Sequence, residues 1–183
     1  TVLQTIPVGT APIPIGDATG FQRAVFSDPF GDVDSDTHLN NAEALAGFNP
    51  FDATSTPCAL ALGGTQKVGG TTTLNYVDLG NRGPGSTYVM ACSVTPGSIP
   101  IGKKRRIGVA LDHLFAASFK VPTIFRNFQG LLDTSGRATG TLVIPNIPAL
   151  VNQTVYCVAI TIDLQWPEGI RTIAPPATFV IKP

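Results

Sequence analysis

Charge is scarce in this sequence. Asp, Glu, Lys and Arg make up 13% of its 183 residues and cancel to a formal net charge of zero, so no sustained field draws the chain toward nucleic acid. Histidine is rarer still, with two residues. No G-x-S-x-G, G-x-x-x-x-G-K-[ST] or H-E-x-x-H pattern occurs, which removes the common nucleophile, phosphate-cradling and zinc-hydrolase arrangements, and the chain is read as a non-enzyme. The three cysteines form no C-x-x-C pair and no Cys/His set for zinc or redox work. No apolar run is long enough to span a bilayer, so membrane insertion is not expected. Helix-period patterning is almost missing outside residues 40–46 and 21–26.

Turn formers are plentiful instead. Nineteen glycines and 16 prolines favour short strands joined by many turns. Strands are expected near 71–77, 88–94, 105–111, 113–119, 123–132, 138–144, 154–163 and 178–182, separated by turn stretches such as "GNRGPGS", "DTSGR" and "WPEG". Eight short strands at this spacing predict an all-β, antiparallel β-sandwich, Ig-like or jelly-roll-like. "GRATGTLVIP" and "TVYCVAITID" alternate only partly, as central strands covered on both faces do. The organisation read from this is an extended segment over 1–22, a loop segment over 23–57 and the sandwich over 58–183.

The zero net charge hides an asymmetry. The first 60 residues carry seven acidic side chains against one basic, Arg23, while the rest carry 11 basic against five acidic. The two parts are complementary, within one subunit or between neighbours. The densest basic run, Lys103 to Arg106, lacks interleaved aromatics and reads as a solvated hairpin edge.

The acidic excess concentrates in "DVDSDTHLNNAE". Three aspartates at alternating positions repel one another, and a hard cation would offset them. Counted from Asp32, the run fits the ligand positions 1, 3, 5, 7, 9 and 12 of an EF-hand-like calcium loop: Asp32, Asp34, Asp36, the backbone carbonyl of His38, Asn40 and Glu43. Leu39 takes the inward apolar position, and the turn position where glycine is usual holds Thr37. A short helix follows, stopped by Gly47 and blocked by Pro50. The expected cofactor is Ca2+.

The run "DVDSDTHLNNAEALAGFNPFDATS" resembles the calcium motif of secreted bacterial surface proteins related to thrombospondin type 3 repeats and dockerin loops, with Ser35 and Thr37 replacing its two usual glycines. "GLLDTSGRATGTLVIPNIPALVNQTVYCVAITID…GIRTIAPPATFVI" looks like the terminal β-domain of such proteins. These resemblances imply export and surface display, and bring no catalytic residues.

Cys92 and Cys157 lie inside expected strands and could meet across the sandwich, with Cys58 at its entry; one disulfide, or none, fits. His113 is expected to be a hydrogen-bonded strand residue. Trp166 and Tyr88 offer a sugar-stacking surface or, more simply, hydrophobic filling. Residues 1–20 begin without an initiating Met, as in a processed form. They carry Val2, Ile6, Val8, Ile13 and Ile15 between prolines 7, 12 and 14, as a strand that adds to a sheet edge would. The functional expectation is a secreted, calcium-stabilised structural subunit that forms a homo-oligomer or filament through this segment. The alternative is a surface adhesin or a module whose partner is an extracellular glycan.

Overall fold

A computed structural model describes residues 28–36, 38–53, 56–79, 85–103 and 105–183. The expected N-terminal strand and the 21–26 helix lie outside the described residues. From Cys58 onward the chain is an all-β antiparallel sandwich. Strands β1 (Cys58–Gly64), β2 (Thr71–Asp78), β6 (Phe125–Arg126) and β8 (Arg137–Val143) form one sheet in the order β1-β2-β8-β6. The other contains β3 (Thr87–Ser93), β7 (Gln129–Leu131), β9 (Thr154–Ile162), β10 (Ile170–Ile173) and β11 (Ala177–Val180), with both β10 and β11 pairing β9. A hairpin of β4 (Ile99–Ile101) and β5 (Arg105–Ile107) stands apart.

Alternation along the strands decides which side chains meet. Leu74, Tyr76 and Leu142 from the first sheet close on Met90, Cys92, Val155, Cys157 and Phe179 from the second. Each large apolar side chain buried this way contributes roughly 1.5–3 kcal/mol. The opposite face of the second sheet is covered too, because Ala91 and Val158 pack against Ile107, Val109, Ile173 and Phe115. This explains the nearly unbroken apolar run of β9. The same expectation fails for β8, whose outward residues Arg137 and Thr139 are exposed, since nothing described covers that face.

Inside the apolar layer sits one polar knot. Asp78 is fully buried and accepts hydrogen bonds from the hydroxyls of Thr161 and Thr172, both at 2.6 Å. The Tyr76 hydroxyl lies 2.8 Å from Thr161 Oγ1 and 3.0 Å from Thr172 Oγ1. Both threonine protons go to the carboxylate, so the single tyrosine proton serves one of them. The knot ties β2 of one sheet to β9 and β10 of the other.

Two expectations about local structure are corrected. Residues 113–119 are not a strand but part of helix α2 (His113–Lys120), which follows α1 (Asn40–Ala46) in chain order. "HLFAASFK" contains no β-branched residue, and Asp112 caps it by accepting the Phe115 N–H at 2.9 Å. His113 is accordingly an exposed first-turn residue rather than a strand residue. The single strand expected over 123–132 is split, with β6 pairing β8 and β7 pairing β3. Asn127, at φ 55°, turns the corner between the two sheets.

Lys103, Arg105 and Arg106 do lie in a hairpin, as expected, but Arg105 is not a solvated edge residue. It is 3% exposed and donates to the carbonyls of Ile170 and Arg171 at 2.8 and 3.3 Å and to Glu168 at 3.1 Å. It pins the hairpin to β10.

Candidate metal centre

The acidic loop is built from both of its ends. Asp28 to Gly31 make a tight turn, with the Gly31 N–H donating to the Asp28 carbonyl at 3.1 Å. A side chain at Gly31 would meet the Asp28 carboxylate and displace it from its present position. The first N–H groups of α1 then close back on the turn, Asn40 to the Gly31 carbonyl at 2.9 Å and Asn41 to the Pro29 carbonyl at 3.0 Å. At its far end α1 stops as expected: Gly47 is left-handed at φ 82°, and the Phe48 N–H returns to the Glu43 carbonyl at 2.8 Å.

Between these ends the aspartates fold the loop by accepting backbone N–H groups. Asp36 N–H donates to Asp32 Oδ1 at 3.1 Å and to Asp34 Oδ1 at 3.4 Å, and His38 N–H donates to Asp36 Oδ1 at 2.8 Å. Ser35 takes the left-handed conformation at φ 63°. One oxygen from each of Asp32, Asp34 and Asp36 lies within 4.8 Å of the others, and this cluster could hold a metal ion.

Glu43 lies on α1 close enough to feel the charge of the three aspartates, but its carboxylate is not one of the converging set. It is fully buried, and neither carboxylate oxygen has a hydrogen-bond partner. Burial pushes its pKa up to about 9, helped by Asp36, Asp34 and Asp32 and by Asp52. Burial also raises Asp34 to about 6, with Asp36 adding to it. Asp34 Oδ2 and Asp36 Oδ2 are buried and lack hydrogen bonds as well. Two aligned lone pairs on a buried carboxylate with no donor cost several kcal/mol unless a cation or a proton satisfies them. The chain matches no protein-family model, no curated protein and no solved structure.

The other two residues expected at the site have further roles. The Asn40 side chain is a brace, its oxygen accepting the Val33 N–H at 3.1 Å and its amide donating to the Asp28 carbonyl at 2.9 Å. The His38 ring turns away from the loop surface into the sandwich. Its Nδ1 lies 3.1 Å from Asp36 Oδ2, without hydrogen-bonding alignment, and its Nε2 lies 2.9 Å from Cys58 Sγ at the start of β1. Sequence reasoning named only the carbonyl of His38 and missed its ring, because nothing local marks a contact 20 residues away.

The loop also docks on the second sheet's end. Phe30 meets Trp166 edge-on, with centroids 5.9 Å apart, and the Arg171 guanidinium lies over the same indole at 5.5 Å. A cleft of ≈ 290 Å³ separates the loop from the β4–β5 hairpin, with Asp28 and Asp32 on one wall and Lys103 and Arg105 on the other. Acidic and basic side chains thus face each other across this cleft. Tyr88 is core, with its hydroxyl donating to the Asn127 carbonyl at 2.9 Å.

Proposed function

We propose that this chain is an extracellular structural module in which one calcium ion clamps the loop of residues 32–43 onto a β-sandwich. The observation that carries the reading is Glu43, fully buried, with both oxygens unsatisfied and three aspartates close enough to raise its proton affinity. An all-oxygen donor set of four carboxylates suits a hard divalent ion, and Glu43 at the twelfth position supplies the bidentate ligand that favours calcium over the smaller magnesium. Asp32, Asp34 and Asp36 would complete the carboxylates, the His38 carbonyl would take the seventh position, and Asn40 would act at the ninth through water or directly. The ion supplies charge neutralisation and cross-linking. The residues of the chain supply the rest: His38 carries the loop to β1, and Phe30 carries it to Trp166.

Surface display and self-assembly belong to the same proposal. Among the described residues β1 ends its sheet, so a strand from a second copy has an edge to join. Trp166, already engaged by Phe30 and Arg171, supports filling rather than sugar stacking.

Calorimetric titration of chelator-stripped protein, with thermal melts in parallel, tests the clamp. One calcium site and a raised Tm are expected, with magnesium markedly weaker. No heat together with an indifferent Tm would overturn it. Electron microscopy of concentrated protein with and without chelator tests assembly, and discrete particles in calcium count against it.

A further inference from the structure

Cys92 on β3 and Cys157 on β9 are direct partners across the ladder, and their sulfurs lie 3.0 Å apart. Both side chains are closed to solvent. The Cys92 N–H does not point at β9, because it donates to Ser118 Oγ on α2 at 3.0 Å, and two residues earlier Met90 likewise donates to Phe128 on the other side. The facing cysteines are therefore a non-hydrogen-bonded pair, the kind in which opposite Cα atoms come to about 4.5 Å. That separation lies within the span of about 4.4–6.8 Å that a disulfide bridges. The third cysteine, Cys58, faces His38 instead.

We propose that Cys92 and Cys157 are oxidised to a disulfide as the chain folds, leaving Cys58 as the free thiol. The oxidant is a small disulfide of the glutathione class. One cysteine thiolate attacks it, forming a mixed disulfide and releasing one glutathione thiolate. The second cysteine thiolate then attacks the bound protein sulfur, closing the Sγ–Sγ bond and releasing the other glutathione. The two protein thiol protons end on the two released thiols, and two electrons have moved from the protein to glutathione. The reaction belongs to folding rather than to the finished protein. Burial raises the Cys92 thiol well above its ordinary range, with the Cys157 thiol beside it adding to the shift, so the Cys92 thiolate is scarce once the sheets have closed, and both sulfurs are then shut away from an oxidant in solvent.

The test is a refolding experiment on the full chain, reduced and unfolded, then diluted into a mixture of reduced and oxidised glutathione. After acid quenching, the protein is unfolded and alkylated for intact-mass measurement and non-reducing peptide mapping. One alkyl adduct is expected, with the Cys92 and Cys157 peptides joined. A Cys58→Ala variant should take no adduct, and protein refolded with reduced glutathione alone should take three. Three adducts on wild-type protein refolded in the redox mixture, or any cross-link through Cys58, overturns the proposal. The wild-type reading does not depend on any variant folding.

Discussion

His38 Nε2 stands 2.9 Å from Cys58 Sγ, and neither side chain reaches solvent. Cys58 in turn pairs with Asp78 across β1 and β2. Polar contact therefore runs from the acidic loop to the edge of the buried knot. Burial pushes the Cys58 thiol well up, with Asp78 adding to it, against the smaller pull of the Tyr76 and Thr172 hydroxyls, so it stays a neutral thiol. Replacing His38 with alanine removes both the ring's volume and the link to β1. A loss of about 2–4 kcal/mol in urea denaturation is expected, together with weaker calcium binding by calorimetry. Unchanged affinity would mean that the ring does not position the loop.

Glu43→Gln is expected to act in opposite directions with and without the ion. In calcium it should lower affinity at least about tenfold, or 1.4 kcal/mol. In chelator near neutral pH it should raise Tm, because a neutral amide needs no proton taken up on folding. The pH dependence follows from the same group. Its folded pKa of about 9 lies above its ordinary 4.5, so the folded metal-free protein holds a proton that the unfolded chain releases. Metal-free stability therefore falls as pH rises from about 4.5 toward 9. Melting curves in chelator across that window check this, and the variant should flatten the slope.

Ser35 holds a left-handed backbone at φ 63° without glycine's freedom. Such a conformation costs about 1–2 kcal/mol in an ordinary residue, partly offset in a Ser35→Gly variant by the extra freedom that glycine gives the unfolded chain. A net gain of up to about 1 kcal/mol is expected, read in urea denaturation in chelator. A loss would show that the serine side chain has a role of its own.

Asp112 accepts three backbone N–H groups, from Phe115 at 2.9 Å, Val94 at 2.8 Å and Thr95 at 3.0 Å. Partial burial pushes its pKa up, but these donors prevail and hold it below the ordinary carboxylate value. A lowered folded pKa means stability that is present above the unfolded value and lost as pH falls through the folded one. Asp112→Ala should cost about 0.5–2 kcal/mol at neutral pH, and less below pH about 4, measured by urea denaturation at both. An equal loss at both would remove the carboxylate charge from the explanation.

Legibility in the sequence followed the range of the deciding interaction. The α1 helix and its Gly47 stop were readable because cap and breaker lie within the segment. β2, β3, β8 and β9 were readable from β-branched residues and flanking turns. β1 escaped notice because "CALALGG" is half small residues, and its strand state comes from pairing with β2. The helix over 113–120 was misread because its apolar spacing suits either period, and the cap at Asp112 decides it. At the site, four acidic ligand candidates could be counted along the chain. The burial of Glu43 and the inward turn of the His38 ring could not, since both depend on where the sandwich stands.

The knot around Asp78 restricts how the two layers can be stacked. Slide one sheet over the other by a single residue and Thr161 and Thr172 leave the carboxylate. A buried carboxylate would then lose both threonine hydroxyls, at a cost of several kcal/mol. One misplaced polar group thus vetoes a whole class of near-native stackings that greasy contacts alone would tolerate.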